Sequence, residues 1–322
     1  MSHVAPGDLV DTRVVALGGG HGLAASLAAL RRIVTDLTAV VTVADNGGSS
    51  GRLRREFGVL PPGDLRQALA ALCGDDDWGR TWARVLQHRF ASDGDMHDHA
   101  VGNLLIVTLW QLLDDSVSAL DWVGRLLGAH GRVLPMAVTP IDIAADVRGV
   151  DPTDPNALTV VRGQVEVAST HDQVTGVRLE PADPPACAEA LEAVARADWV
   201  VLGPGSWFTS VIPHLLVPTL RDALVASPGR KVVTLNLEPQ AGETDGFSPE
   251  THLEVLAAHA PHLEVDVVLA DHGSVVDAEQ LDDVARSLGA DLVVADLAMA
   301  DGTPRHDPVK LANAYAALLA EA

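Results

Sequence analysis

The sequence predicts an α/β fold built on a mainly parallel sheet, because apolar runs of strand length alternate with segments of helical periodicity. The run VVAL at residues 14–17 leads into GGGHG at 18–22, after which Leu23, Leu27 and Leu30 recur at helical spacing. A second apolar run, residues 39–44, ends in the glycine-rich stretch DNGGSSG. Apolar runs without polar alternation are typical of strands buried on both faces of a parallel sheet. The two runs and the intervening helix therefore form a βαβ unit.

The rest of the chain continues this alternation, with one interruption. Helices are expected at residues 52–57, 65–72, 78–90, 100–113, 117–127 and 309–319 and from Trp207 onward, and further strands at 199–202, 231–237, 265–270 and 292–295. Between about residues 132 and 182 the pattern changes to short alternating runs separated by Pro, Asp and Gly, at 133–139, 158–161, 164–168 and 177–180. We expect a β-rich insertion of hairpins there, inside a single domain that spans residues 1–322.

Composition argues against several classes of protein. The formal net charge is −22 and the sequence pI is near 4.7, which disfavours a surface for nucleic acid or anionic membranes. No apolar run reaches the roughly 18 residues that a membrane span requires, and the N-terminus has no secretory signal. Cys73 and Cys187 have no metal-binding spacing, which suits a reducing cytoplasm. We expect a cytoplasmic globular protein without membrane insertion and without a nucleic-acid partner.

Glycine-rich loops after two successive strands suit an anionic ligand. Bare backbone N–H groups at a helix start, together with the helix dipole, favour a phosphate, and ligands of open α/β sheets lie at strand carboxyl ends. The GGGHG loop matches neither the P-loop nor the dinucleotide fingerprint, because Leu23 stands where the last glycine of GxGxxG is required. A tight turn without a ligand is the alternative for this loop alone. The two loops together predict a nucleotide-sized ligand.

Later strands end in similar loops. The run at 199–202 leads into GPGS at 203–206, and the strand at 231–237 leads into a polar loop that contains Gln240 and Glu243. In a parallel sheet these loops all lie at one edge and line one crevice. Positive potential for an anion must come from backbone amides, a few arginines or a metal ion, because the chain is strongly acidic.

Several polar side chains have two alternative roles. Asp64 follows the stiff turn PPG and is either the N-cap of the next helix or a carboxylate that faces the ligand or its metal ion. His97 and His99 have the spacing of a metal-ligand pair, with a loop or a helix cap as the alternative. Asn103 disfavours the helix in which it is expected, and therefore indicates a specific hydrogen bond.

Taken together, these motifs resemble the YvcK family of gluconeogenesis factors, in the superfamily of 2-phospho-L-lactate transferase (CofD). The resemblance is carried by LGGGHGL at 17–23, VADNGGSSGRLR at 43–54, PPGD at 61–64, HAVGNL at 99–104, LGPGS at 202–206, QAGET at 240–244 and RHDP at 305–308. It runs from about residue 13 to 319 and implies a Rossmann-like three-layer α/β sandwich with a smaller helical and β inserted subdomain, in a cytoplasmic homo-oligomer such as a dimer. The chain departs from the family pattern at His21, Asn46 and residues 237–239, where Thr, a second Asp and a Met-Thr stretch are usual.

The resemblance also implies a ligand. It is a UDP-sugar such as UDP-N-acetylglucosamine, bound by a regulator of cell shape and cell-wall precursor supply under gluconeogenic growth, without an established reaction. The first glycine loop would hold one end of the ligand, the 203–206 loop would offer a second set of amides, and Arg305 and His306 would close over the pyrophosphate. The residues expected to bind the ligand are Gly19, Gly20, His21, Gly22, Asp45, Asn46, Ser49, Asp64, Asn103, Gly203, Pro204, Gly205, Ser206, Gln240, Glu243, Arg305 and His306.

Two other functions are alternatives. A CofD-like 2-phospho-L-lactate transferase with a deazaflavin acceptor would use Asp45 or Asp64 with Mg²⁺ to steady the phosphates. Asn46 stands where a carboxylate is usual, which weakens a two-carboxylate metal site. The transferase therefore ranks after the nucleotide-sugar-binding regulator. An NAD-dependent oxidoreductase would use Asp45 as a ribose-binding acid, but the glycine fingerprint is incomplete. No catalytic residue is predicted, and Mg²⁺ is expected as a cofactor only for the transferase.

Overall fold

The computed structural model describes residues 9, 11–150, 153–154, 156–170, 173–240 and 242–320. Residues 1–8, where no secretory signal is expected, lie outside the described residues, as does Ala241 of the QAGET segment. The same holds for residues 151, 152, 155, 171 and 172 of the predicted insertion.

The strands form one large and one small sheet. The strands are β1 (Arg13–Gly18), β2 (Asp36–Val41), β3 (Arg132–Pro135), β4 (Asp142–Arg148), β5 (Leu158–Arg162), β6 (Gln173–Glu180), β7 (Trp199–Leu202), β8 (Arg230–Thr234), β9 (Val267–Asp271) and β10 (Asp291–Ala295). The large sheet has seven strands in the order β10-β9-β8-β7-β1-β2-β3, and each neighbouring pair is parallel. The mainly parallel sheet predicted from the apolar runs is confirmed.

Helices cover the large sheet. They are α1 (Gly20–Leu30), α2 (Gly48–Phe57), α3 (Gly63–Ala71), α4 (Asp77–Gln87), α5 (Val101–Leu113), α6 (Ser116–Leu127), α7 (Gln164–Ala168), α8 (Ala188–Arg196), a π-helical turn (Trp207–Val211), α9 (Ile212–Leu216), α10 (Pro218–Ala226), α11 (Pro249–His259), α12 (Ala278–Ser287) and α13 (Pro308–Ala320). Helix α1 packs against α3 and α13, whereas α8 packs against α10 and also contacts β1 and β3. The result is a Rossmann-like α/β sandwich. Within the described ranges, no helix combines the length and apolarity that crossing a bilayer needs.

The inserted subdomain is a three-stranded antiparallel sheet with the order β5-β4-β6. Strand β3 does not belong to it, because β3 pairs in parallel with β2 in the large sheet. The strand predicted at residues 164–168 is wrong, since this segment forms the one-turn helix α7. Its sequence QVEVA alternates, but Val167 is its one buried residue, so the segment has no apolar face that would fit a sheet.

The strand order changes direction between β1 and β7. From β1 the chain proceeds outward to β2 and β3, whereas from β7 it proceeds the other way to β8, β9 and β10. Leu17 of β1 lies beside Leu202 of β7, so the loops that begin at Gly18 and Gly203 open on the same edge of the sheet. Ligands of open α/β sheets bind at such a switch point.

Candidate functional site

A cleft of about 310 Å³ opens at the carboxyl ends of β1 and β7. This volume lies within the range of about 300–1,000 Å³ that is usual for small-molecule sites. Its lining residues are Gly19, Gly20, His21, Gly22, Asp64, Gln164, Ala168, Gly205, Ser206, Thr209, Ser210, Gln240 and Glu243. The structure thus brings together residues from the first glycine loop, the GPGS loop, the loop after β8 and the inserted helix α7.

The N-terminus of helix α1 forms the floor of the cleft. Gly19 is its N-cap residue and has no side chain to cap it, its first turn contains no acidic residue, and the Asp64 carboxylate from α3 faces the Gly20 N–H. Gly20 has φ +58°, a left-handed conformation that glycine adopts without steric cost. The first N–H group to bond back along the helix is that of Leu23, which donates to the Gly19 carbonyl oxygen at 3.2 Å. The first-turn amides therefore lie at the cleft, the arrangement that favours a phosphate.

The two glycine loops are in direct contact. A Cβ atom added to Gly22 would lie 2.5 Å from the Cα atom of Gly205. One added to Gly19 would lie 2.9 Å from a carboxylate oxygen of Asp64 and 3.1 Å from the hydroxyl of Ser210. A side chain has no room at Gly22 because the backbone of the second loop approaches it, or at Gly19 because the side chains of Asp64 and Ser210 do.

The GPGS loop offers fewer amides than expected, because its own structure uses them. The Gly203 N–H donates to the Leu17 carbonyl oxygen at 3.2 Å, and Pro204 has no N–H. The Gly205 N–H donates to Oδ1 of Asn236 at 2.8 Å, and Nδ2 of Asn236 donates to the Gly205 carbonyl oxygen at 2.8 Å. Sequence reasoning missed Asn236, although it is the first polar residue after the apolar run of β8.

The Glu243 carboxylate caps the start of the π-helical turn by accepting hydrogen bonds from its backbone amides. Its Oε1 accepts hydrogen bonds from the N–H groups of Phe208 at 2.6 Å and Thr209 at 2.8 Å, and the Ser206 hydroxyl donates to its Oε2. Burial raises the pKa of Glu243, and these hydrogen bonds oppose the rise. The helix start after β7 thus has a carboxylate on two of its amides, whereas at the start of α1 the Asp64 carboxylate faces the Gly20 N–H.

The buried Asp64 and the half-buried Asp45 form an acidic pair beside the α1 N-terminus. Burial and, after it, the charge of Asp45 raise the pKa of Asp64 to about 7, against the Gly20 N–H and Arg66, which lower it. Burial likewise raises the pKa of Asp45, whose Oδ1 accepts the Gly47 N–H at 2.8 Å. Near neutral pH this pair therefore carries less negative charge than two exposed carboxylates would.

The alternative of Asp64 as a helix N-cap is wrong. Helix α3 begins at Gly63, its N-cap position is Pro62, and no side chain caps it. Asp64 lies inside the first turn, and its carboxylate faces Gly20 and the cleft.

Ser49 and Asn103 do not line the cleft, but their hydrogen bonds fix His99 and Arg66. The Ser49 hydroxyl accepts from Nδ2 of Asn103 at 3.1 Å and is 3.1 Å from Nδ1 of His99. Oδ1 of Asn103 accepts from Nε of the buried Arg66 at 2.9 Å. The specific hydrogen bond expected of Asn103 therefore exists, and it positions the guanidinium that faces the acidic pair.

The side chains considered for metal binding are engaged elsewhere. His99 contacts Ser49, and the carboxylates of Asp45 and Asp64 face backbone N–H groups. Among the residues that the structure describes, no three or more His, Cys, Asp or Glu side chains cluster as a metal site would require. This donor set does not fit a metal ion held by the protein alone. A Mg²⁺ ion shared with a ligand's phosphates stays a prediction.

Three further predicted residues do not line the cleft, although Asn46 contacts its wall. Nδ2 of Asn46 donates to Oε2 of Glu166 in α7 at 2.8 Å. Arg305 is exposed and its Nη2 donates to Asp301 at 3.0 Å. His306 is buried, which lowers its pKa to about 4. Neither lines the cleft: Arg305 is in the loop after β10, and the His306 ring faces the Leu235 backbone just after β8.

Four lining residues were missed by sequence reasoning. Gln164 and Ala168 belong to α7, which the alternating pattern predicted as a strand. Thr209 and Ser210 lie in the first turn after the GPGS loop. The predicted helix start at Trp207 was a signal for these two, because the first turn of a helix after such a loop faces the same site.

The chain is similar to known proteins over most of its length. The family model described as 2-phospho-L-lactate transferase CofD matches residues 14–305. A Mycobacterium tuberculosis protein is 54% identical over 302 residues, which cover 93% of this chain and 88% of that protein. A Listeria monocytogenes protein named gluconeogenesis factor is 36% identical over 318 residues, 95% of each chain. The crystal structure of a UPF0052-family protein from Bacillus halodurans matches with a TM-score of 0.84 and 32% identity, over 94% of this chain and 98% of that one. The matched range includes both the cleft and the inserted sheet.

Proposed function

Because this chain belongs to the gluconeogenesis factors of the UPF0052 family, within the 2-phospho-L-lactate transferase CofD family, we propose that its cleft binds a nucleotide sugar such as UDP-N-acetylglucosamine. In this proposal the protein acts in the cytoplasm, as a homo-oligomer, and regulates cell shape and cell-wall precursor supply during gluconeogenic growth. The observation that carries the proposal is the glycine-rich N-terminus of α1, whose own first turn contains no acidic residue, at the switch point between β1 and β7.

The diphosphate of such a ligand lies against α1. In a chain with a net charge of −22, an anion site has to use backbone dipoles, and the first turn of α1 supplies them without an acidic side chain. Asp64 and Glu243 both line the cleft; the raised pKa of Asp64, about 7, lessens its repulsion of the phosphates, and the Glu243 carboxylate is turned to the Phe208 and Thr209 amides. Ser206, Ser210 and Gln240 supply polar contacts for the hydroxyl groups of the ligand.

Calorimetric titration with UDP-N-acetylglucosamine tests the proposal. We expect a dissociation constant on the order of micromolar and no turnover. Gln240→Ala removes a lining side chain and should weaken binding by roughly 2–10-fold, the usual value of one hydrogen bond. Gln280→Ala, on the exposed first turn of α12, is the matched control and should leave the affinity unchanged. Absence of heat and of a thermal shift with the unmodified protein would refute the proposal.

A CofD-like transferase is the second candidate, favoured by the description of the matching family model and by the Asp45–Asp64 pair beside the cleft. Incubation with a deazaflavin acceptor, an activated 2-phospholactate and Mg²⁺, followed by mass spectrometry of the acceptor, tests it. An acceptor of unchanged mass rules this candidate out and leaves the binding proposal intact.

A further inference from the structure

The inserted helix α7 lies across the mouth of the cleft. On one side, a Cβ atom added to Gly47, in the loop after β2, would lie 2.6 Å from Cγ2 of Val165. On the other side, one added to Gly242, in the loop after β8, would lie 2.7 Å from the Ala168 carbonyl oxygen. Strands β1 and β7 lie between β2 and β8 in the sheet, so a helix that contacts both outer loops spans the strand ends where the cleft opens.

One side chain of the main domain fastens this helix. Nδ2 of Asn46 donates to Oε2 of Glu166 at 2.8 Å, and Oδ1 of Asn46 accepts from the Val165 N–H at 3.0 Å. An amide is needed for both bonds at once, because a carboxylate has no donor. Gly163 leaves the space for this pair, since a Cβ atom there would lie 2.3 Å from Nδ2 of Asn46.

A separate contact fixes the base of the inserted sheet. Nη1 of Arg54 in α2 is 2.9 Å from Oδ1 of Asp142, the first residue of β4. These are two of the contacts that attach the subdomain to the main domain. The Arg54–Asp142 ion pair holds its base, and the Asn46 contacts hold its tip, the part that carries Gln164 and Ala168 into the cleft wall.

The geometry points to Asn46 and Glu166 as the pair that positions α7 as the outer wall of the cleft, with Gln164 as the side chain that α7 presents to the ligand. Its consequence for binding rests on the proposed function. Its consequence for the position of α7 does not, because that position is measured on the protein without added ligand.

Asn46→Asp tests the pair. It replaces the Nδ2–Oε2 hydrogen bond with two carboxylates that repel each other, only weakly relieved by the exposed Arg55, whose Nη1 is 3.5 Å from the Asn46 carbonyl oxygen. We expect amide hydrogen exchange at residues 163–169 of the unliganded protein to become about tenfold faster, and the dissociation constant for UDP-N-acetylglucosamine to rise about tenfold, the lower end for a charged hydrogen bond.

The double variant Asn46→Asp/Glu166→Gln is the rescue. The amide introduced at position 166 can donate to the carboxylate introduced at position 46, so exchange and affinity should return close to their original values. Glu166→Gln alone keeps an acceptor for Asn46 and should behave like the unmodified protein. A general loss of structure would not be rescued by the second substitution.

The proposal is overturned if amide hydrogen exchange at residues 163–169 is as slow in Asn46→Asp as in the unmodified protein. If that variant does not fold, Glu166→Ala alters only an exposed side chain, and an unchanged exchange rate there overturns it equally. Faster exchange with rescue, in a protein that gives no heat with the nucleotide sugar, supports the positioning pair while refuting the proposed ligand.

Discussion

Gly22 lies so close to Pro204 that a Cβ atom built on the glycine would be 2.2 Å from the proline carbonyl oxygen. This contact joins the first turn of α1 to the loop after β7, and it closes the floor of the cleft. The requirement at Gly22 is space alone, because its backbone is not in the left-handed region.

Gly22→Ala should therefore separate the two loops. We expect a loss of about 1–3 kcal/mol in the free energy of unfolding, as for other overpacked sites, and loss of nucleotide-sugar binding. Gly124→Ala in α6 is the matched control, because nothing lies within 4 Å of a Cβ atom at that position. It should stabilise the protein by up to about 1 kcal/mol through helix propensity. Urea unfolding and calorimetry measure both variants, and a Gly22→Ala protein that equals its parent in both would contradict the contact.

Asp64 should make the protein less stable as the pH rises toward neutrality. Its folded pKa of about 7 exceeds the ordinary 3.8, so the unfolded chain loses the proton first. Between these values the folded state binds more protons, and the free energy of unfolding falls with pH until about 7. Asp64→Asn removes this dependence, on the order of 3 kcal/mol between about pH 4 and about pH 7. Urea titrations across that range measure it.

Asp115 provides a control of opposite sign. It caps α6, where its Oδ1 accepts the Ser118 N–H at 2.5 Å, and that hydrogen bond lowers its pKa. Its stabilisation is present above the unfolded pKa and is lost as the pH falls through the folded pKa. Asp115→Asn should therefore reduce stability mainly above the unfolded pKa of an aspartate. At the same pH values Asp64→Asn should increase stability. If both variants changed the pH profile in the same direction, the assignment of Asp64 would be wrong.

The parts of the site that are contiguous in the chain could be predicted from the sequence. The strand, the glycine loop and helix α1 follow one another, so their arrangement is set by local chemistry, and the family identified from the motifs is confirmed. Strand order is not local. Arg305 and His306 follow a strand that ends four places from β1 in the sheet, which nothing in their own segment indicates.

The short segment of α7 shows a second limit. Alternation over the five residues Gln164–Ala168 suits a strand or one helical turn equally. Distant partners decide between them. Asn46 binds the first turn from the loop after β2, and Gly163 at φ +103° turns the chain into the helix. Gln164 therefore reaches the cleft through tertiary contacts that its own sequence does not encode.

Glu243→Ala should destabilise the protein by about 2 kcal/mol or more. It leaves the amides of Phe208 and Thr209 buried without their acceptor, and an unpaired buried donor costs about 1–3 kcal/mol. Glu243→Gln keeps an acceptor for both and should lose less. Glu254→Ala, on the exposed face of α11, should change stability by no more than about 0.5 kcal/mol. Thermal and urea unfolding compare the three, and a Glu243→Ala loss no larger than that of Glu254→Ala would argue against the cap.

Tyr315 gives a spectroscopic test of the packing behind the cleft. The chain has a single tyrosine, so any phenolate absorbance comes from this residue. Its hydroxyl is 3.0 Å from Oγ of Ser26 and 2.9 Å from Oγ1 of Thr234, and burial raises its pKa to about 12. The unfolded chain ionises first, near the ordinary 10, so stability falls as the pH rises between these two values.

The phenolate absorbance of the folded protein should accordingly appear together with alkaline unfolding rather than before it. Tyr315→Phe should cost about 1–2 kcal/mol, because Thr234 loses its partner while Ser26 can still donate to the Gly203 carbonyl oxygen at 3.2 Å. Ser26 and Gly203 belong to the two halves of the switch point, so the variant should also loosen the GPGS loop and weaken ligand binding. A phenolate that titrates near pH 10 in a protein with intact far-UV circular dichroism would show that Tyr315 is not buried between Ser26 and Thr234.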